Sequence, residues 1–71
     1  MEKKYFVTYA INEYSGLNIG SIEITTLEMK VKDMSPGQLA EYLEMEISDA
    51  LNTALNTDIY NDVTIINYWE V

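Results

Sequence analysis

Residues 35–39, Ser-Pro-Gly-Gln-Leu, carry the strongest structural signal in the chain and open the segment SPGQLAEYLEMEISDALNTALN, residues 35–56. Ser35 suits a helix N-cap, Pro36 suits the first helical position, and Gln38 completes a capping box. At about 100° per residue, the apolar side chains of this segment form one stripe, which contains Leu39, Ala40, Leu43, Ile47, Ala50, Leu51 and Ala54. The pattern predicts an amphipathic helix that ends near Asn56, a residue that tolerates a left-handed backbone.

Two strands are predicted before this helix. Residues 3–14 alternate in polarity and are rich in aromatic and β-branched types, and the face assigned to the core contains Tyr5, Val7, Tyr9 and Ile11. Residues 15–20 contain two glycines and are predicted to form a turn. Residues 21–32 are predicted to form the second strand. Its apolar positions change from even to odd numbers, so a β-bulge is expected at Thr25-Thr26.

A third strand is predicted over residues 63–71. Its core face is assigned to Val63, Ile65, Trp69 and Val71, and its other face to Thr64, Ile66, Tyr68 and Glu70. The chain is therefore expected to be a single α+β domain over residues 1–71, with the order β-β-α-β. A right-handed crossover gives a three-stranded antiparallel sheet in the order 2-1-3, with the helix packed on one face. Nothing remains in the sequence to cover the other face.

Charge is divided unevenly along the chain. The net charge is −8, and residues 1–32 contain equal numbers of acidic and basic side chains. Residues 33–71 contain eight acidic residues and no lysine or arginine. The predicted helix therefore lacks the Glu–Lys pairs, four residues apart, that commonly stabilise exposed helices.

The residue types present argue against catalysis and against a bound cofactor or metal. The chain has no histidine and no cysteine, so the most common general base, the soft nucleophile and the usual zinc ligands are all missing. Carboxylate pairs such as Glu41 with Glu44 are expected on a hydrated helix face. We therefore expect a binding protein and not an enzyme.

One side of the predicted helix is a candidate partner-binding surface. It combines acidic residues with two side chains of types that are enriched in interfaces: Glu41, Tyr42, Glu44, Met45, Glu46 and Asp49. This predicted acidic surface would face a basic protein surface, such as that of a nucleic-acid-binding protein. The alternative interpretation is a solvated helix face that only keeps the protein in solution.

The uncovered sheet face is the second candidate, as a homodimer interface or a partner surface. It is predicted to contain Phe6, Thr8, Ala10, Ile66 and Tyr68. Such a face can also be merely amphipathic. Lys3, Lys4, Lys30 and Lys32 are expected to meet at one end of the sheet, where lysines commonly block edge pairing. Four lysines in a chain of net charge −8 predict no direct binding to nucleic acid.

In size, acidity and lack of catalytic residue types, the chain is similar to the small inhibitors that phages and mobile elements encode. Some of those proteins imitate DNA and block host nucleases, CRISPR effectors or replication proteins. The similarity is one of type and involves no particular residues. Alternative functions are a homodimeric structural or adapter module joined through the open sheet face, and a small-ligand site between subunits. The sequence has no long apolar stretch, so a cytoplasmic location without membrane contact is expected.

Overall fold

The computed structural model describes residues 1–13 and 16–71 and contains two long strands, a short helix, a long helix and a third strand in that order. These elements are β1 (Glu2–Glu13), β2 (Gly16–Leu27), α1 (Glu28–Val31), α2 (Pro36–Leu55) and β3 (Val63–Glu70). Both strand pairs are antiparallel, the strand order is β2-β1-β3, and α2 packs on one side of the sheet. The predicted α+β class, strand order and helix position are confirmed.

Both ends of α2 follow the predicted capping chemistry. The Gln38 backbone N–H donates to Ser35 Oγ at 3.2 Å, and the Ser35 N–H donates to Gln38 Oε1 at 2.9 Å. Together these bonds form the capping box, with Pro36 in the first turn. Asn56 ends the helix with a φ of 51°, in the left-handed region. The limits of α2 were thus readable from the sequence.

Most of the turn predicted over residues 15–20 lies within β2. Residues 16–20 belong to β2, so the prediction of a turn there is wrong, and Ser15 lies outside the described residues. Gly16 has a φ of 124°, which favours glycine. Gly20 has a different role, because it pairs with Tyr9 and a Cβ there would lie 2.8 Å from the Tyr9 hydroxyl. One glycine therefore supplies backbone freedom, and the other supplies space for a ring.

The predicted bulge in the second strand is also wrong. β2 pairs with β1 over its whole length without a register shift, and the change in apolar phase after Leu27 marks the start of α1. The bulge lies instead in β3. Thr8 pairs with Asn67 and Tyr9 pairs with Ile65, which leaves Ile66 as an extra residue.

The bulge reverses the predicted facing of the end of β3. Val7, on the helix side, pairs with Tyr68, and Phe6, on the open side, pairs with Trp69. The Tyr68 hydroxyl donates to the Pro36 carbonyl at 3.3 Å, which places its ring on the helix side. The assignments of Tyr68 to the open face and of Trp69 to the core are therefore wrong, because directly opposed residues share one face of a sheet.

The core lies between α2 and the sheet, with its buried residues drawn from every element: Tyr5, Val7, Ile11, Ile24, Val31, Leu43, Ile47 and Val63. Leu43 and Ile47 are fully buried at the middle of α2. Ala50 and Ala54 lie on the predicted apolar stripe but are exposed. At 1.5 Å per residue, the helix is about 30 Å long, and its C-terminal part extends beyond the buried contact. The apolar periodicity therefore predicted which side of the helix is buried, but not how far along the helix the contact extends. Among the described residues, no helix is both long enough and apolar enough to cross a membrane.

Candidate protein-interaction surfaces

The outer row of α2 consists of Glu41, Met45 and Asp49, which are all exposed. The three residues are spaced four apart, so consecutive side chains lie about 5–6 Å from one another on one face. Met45 is 58% exposed and lies between the two carboxylates. Because residues 33–71 contain no lysine or arginine, no cation from the same part of the chain neutralises this row.

Two members of the predicted acidic surface have structural roles instead. The Tyr42 ring packs against the core, and its hydroxyl shares a hydrogen bond of 2.8 Å with Thr26 Oγ1 in β2. Glu44 Oε2 accepts the backbone N–H of Ile65 in β3 at 3.2 Å. Tyr42, predicted as a member of the partner-binding surface, is half-buried, because its long side chain reaches back to the buried Thr26 hydroxyl. Glu46 is only half-buried and stays beside the outer row.

The loop between α2 and β3 adds acidic side chains near the end of the helix. Asn52 Oδ1 accepts the backbone N–H of Tyr60 at 2.9 Å, and the Ser48 hydroxyl donates to the Tyr60 carbonyl. These bonds fasten the loop to the last turns of α2. Asp58 and Asp62, on either side of Tyr60, are both exposed. Nothing in the local sequence pattern predicted that the loop would be bound to the helix.

The open face of the sheet carries a pair of aromatic rings. Phe6 and Trp69 have ring centroids 5.0 Å apart, and Trp69 remains 49% exposed. Thr8 is half-buried and lies beside Ser21, with the two hydroxyl oxygens 3.4 Å apart, whereas Ala10 is buried. Of the residues predicted for this face, Phe6, Thr8 and Ala10 are correctly placed, and Ile66 is an exposed residue at the bulge.

Sequence reasoning missed three apolar members of the open face. Leu17 and Ile19 pair with Asn12 and Ala10 of β1 and are each 65% exposed. Both positions lie within residues 15–20, which the glycine spacing predicts to be a turn. Trp69 was assigned to the core because the bulge that turns it outward is not visible in the sequence. The extra residue, Ile66, follows another isoleucine, and two adjacent isoleucines fit a bulge and a regular strand equally well.

The four lysines lie at one end of the sheet, together with acidic side chains. Lys3 pairs with Thr26 and Lys4 with Thr25, while Lys30 lies in α1 and Lys32 directly follows it. The hydrogen bond from Lys3 Nζ to Glu70 Oε1, 3.3 Å long, and the attraction between the two charges raise the pKa of Lys3. This end is therefore not a free basic patch.

The described residues contain no group of three or more acidic side chains close enough together to hold a metal ion. Comparisons with protein-family models, with curated proteins and with solved structures found no match. The function proposed below therefore rests on the geometry and charge of the chain itself.

Proposed function

We propose that this chain is a non-enzymatic binding protein whose outer row, Glu41, Met45 and Asp49, contacts a basic surface of a nucleic-acid-binding protein. The observation that carries the proposal is the exposure of this row within a segment of 39 residues, 33–71, that has no lysine or arginine. A surface of one sign attracts a surface of the opposite sign and accelerates the encounter.

The composition of the row suits such a partner. Its carboxylates, together with half-buried Glu46 and the loop acids Asp58 and Asp62, repeat negative charge along α2 much as phosphates do along a nucleic-acid strand. Met45 adds a flexible apolar contact that adapts to the partner's surface. The protein would then act as a small inhibitor of the phage or mobile-element type, directed against a defence nuclease or a CRISPR effector in the cytoplasm.

Nucleic acid itself is not the proposed partner. Affinity for DNA or RNA depends mainly on cations that neutralise phosphates, and this chain has four lysines against twelve acidic residues. At least one lysine, Lys3, is engaged with Glu70. The overall field repels phosphate and attracts the proteins that bind it.

The test uses the immobilised chain to capture bacterial proteins at low and high salt, with two matched double variants. Glu41→Lys with Asp49→Lys reverses the outer row. Glu2→Lys with Asp33→Lys makes the same change in net charge at exposed positions outside the outer row. Circular dichroism should show that both variants keep the fold.

We expect the wild type to retain a nucleic-acid-binding protein at low salt and to compete with its nucleic acid. The outer-row variant should lose more than the roughly 1 kcal/mol that scattered surface charges contribute, while the control variant should stay within that limit. Equal binding by the two variants would show that the outer row is only a solvated face.

A second candidate function is an adapter that binds a partner through its open sheet face. The exposed Phe6–Trp69 pair favours this function, because aromatic side chains are enriched in the centres of interfaces. A partner bound there would lose affinity on Trp69→Ala and would keep its affinity for the outer-row variant.

A further inference from the structure

The two edges of the sheet differ in how their backbone groups are occupied. On β3, the outward N–H of Ile65 donates to Glu44 Oε2 at 3.2 Å, and the N–H of Tyr68 donates to Asn67 Oδ1 at 3.0 Å. The extra residue Ile66 lies between them. Bulges and occupied N–H groups are devices that prevent an edge strand from pairing with another strand. The β3 edge is closed in this way.

The β2 edge has no bulge over its described residues, Gly16–Leu27. All twelve residues of β2 are in register with β1, and within the described chain β1 is its only neighbouring strand. The Val71 N–H donates to the Lys4 carbonyl at 2.8 Å, so even-numbered residues of β1 direct their backbone groups toward β3. Odd-numbered residues of β1 therefore bond to β2, and alternation directs the odd-numbered groups of β2 outward. These are Leu17, Ile19, Ser21, Glu23 and Thr25.

The composition of β2 also leaves this edge unprotected. Its segment GLNIGSIEITTL contains one charged residue, Glu23, and no lysine or proline. Leu17 and Ile19 are each 65% exposed. Residues 16–22 of β2 contain no charged side chain, so a second molecule of net charge −8 can pair over this stretch without placing like charges opposite each other.

We propose that β2 pairs antiparallel with β2 of a second copy of this chain, forming one continuous six-stranded sheet. An antiparallel strand edge is self-complementary about a two-fold axis, as a closed dimer requires. With the two-fold axis at Ile19, the pairing supplies acceptors and donors for the outward backbone groups of Leu17, Ile19 and Ser21. It also brings Leu17 and Ile19 of the two copies close together on the open face.

This arrangement differs from a dimer built by stacking two open faces. In the edge-paired dimer, both outer rows lie on the same side of the joined sheet, and both open faces remain accessible. Trp69 lies in β3, two strands away from β2 and so about 10 Å from the new contact. Its environment therefore does not change when the dimer forms, whereas stacked faces would bury it.

The test compares the same substitution on the two edges, with Ile19→Lys on β2 and Ile66→Lys at the β3 bulge. Both side chains are exposed, so neither variant should unfold the chain. Sedimentation equilibrium should give the wild type and Ile66→Lys twice the 8.2 kDa chain mass. Ile19→Lys should give the single-chain mass with an unchanged circular dichroism spectrum, and Leu17→Lys serves as a second variant should Ile19→Lys fail to fold.

Two further measurements test whether a second copy of the chain, and not another protein, occupies the β2 edge, and whether the open faces stack instead. Hydrogen exchange should show the amides of Leu17, Ile19 and Ser21 protected in the dimer and fast-exchanging in Ile19→Lys. Trp69, the only tryptophan, should keep its emission spectrum when the wild type is diluted until it dissociates. A monomeric wild type, equal dissociation of both lysine variants, or an emission shift on dilution would overturn the proposal. Amide protection that requires an added partner protein would also overturn it.

Discussion

Two aromatic pairs, one residue apart in sequence, lie on opposite faces of the sheet. Tyr5 and Tyr68 meet edge to face under α2, with ring centroids 6.3 Å apart, and Tyr5 is only 5% exposed. Phe6 and Trp69 meet on the open face, where half of Trp69 is accessible. The chemistry of the two pairs is similar. The two pairs differ because α2 covers only one face of the sheet. Tyr5 and Tyr68 therefore belong to the core, whereas Phe6 and Trp69 remain available for contact with another molecule.

The largest expected effect comes from the middle of the covered side. Leu43→Ala removes a fully buried side chain and should cost about 2–5 kcal/mol, close to the whole stability of a domain this small. Met45→Ala, two residues along the same helix, should change the free energy of unfolding by less than about 0.5 kcal/mol because Met45 is exposed. Urea unfolding followed by circular dichroism measures both. A tolerated Leu43→Ala would contradict the described core.

A smaller effect tests the two aromatic pairs directly. Tyr68→Ala removes the contact with Tyr5 and the hydrogen bond to Pro36, so we expect a loss of about 1–3 kcal/mol. Trp69→Ala removes a half-exposed ring and should cost less than Tyr68→Ala. Thermal unfolding of the two variants gives the ranking. The reverse ranking would mean that β3 runs without the bulge at Ile66.

The smallest expected effect concerns the ion pair at the end of β1 and β3. Lys3 has its pKa raised above 10.5 by the hydrogen bond and the charge of Glu70. Between neutral pH and pH 10.5 the stabilisation from the pair is therefore complete, and it disappears as the pH rises through the folded-state pKa of Lys3. Glu70→Gln should lower the melting temperature slightly at neutral pH and not at all in strong alkali. Because the pair is exposed, added salt should reduce the difference, and a difference that grows with pH would contradict this assignment.

Much of the fold could be predicted from local chemistry. Ser35, Gln38 and Asn56 determine the ends of α2 through hydrogen bonds and backbone conformations that depend on a few neighbouring residues. The buried side of β1 followed from simple alternation, since Tyr5, Val7 and Ile11 are all buried. With only three strands and one crossover, the handedness rule left few topologies, and the predicted strand order was correct.

The errors arose where two structures share one sequence pattern. Leu27, Met29 and Val31 fit the alternation of a strand, but Leu27 and Val31 also fit a helical turn, and the chain forms α1 there. Gly16 and Gly20 were both plausible turn residues, and only the position of the Tyr9 ring separates their roles. The candidate site was mispredicted for the same reason. The Tyr42 side chain turns toward the core because its hydroxyl bonds with Thr26, a residue of β2 that is distant in sequence.

The position of β1 at the centre of the sheet has a consequence for how the chain folds. Its partner β2 follows directly in sequence, whereas pairing Tyr5 with Glu70 closes nearly the entire chain. Closing a longer loop costs more entropy, by about 0.6 kcal/mol for each doubling of length. The hairpin and α2 are therefore expected to form early, and β3 to dock last. Since the only tryptophan lies in β3, its fluorescence would report the final step of folding and miss the earlier ones.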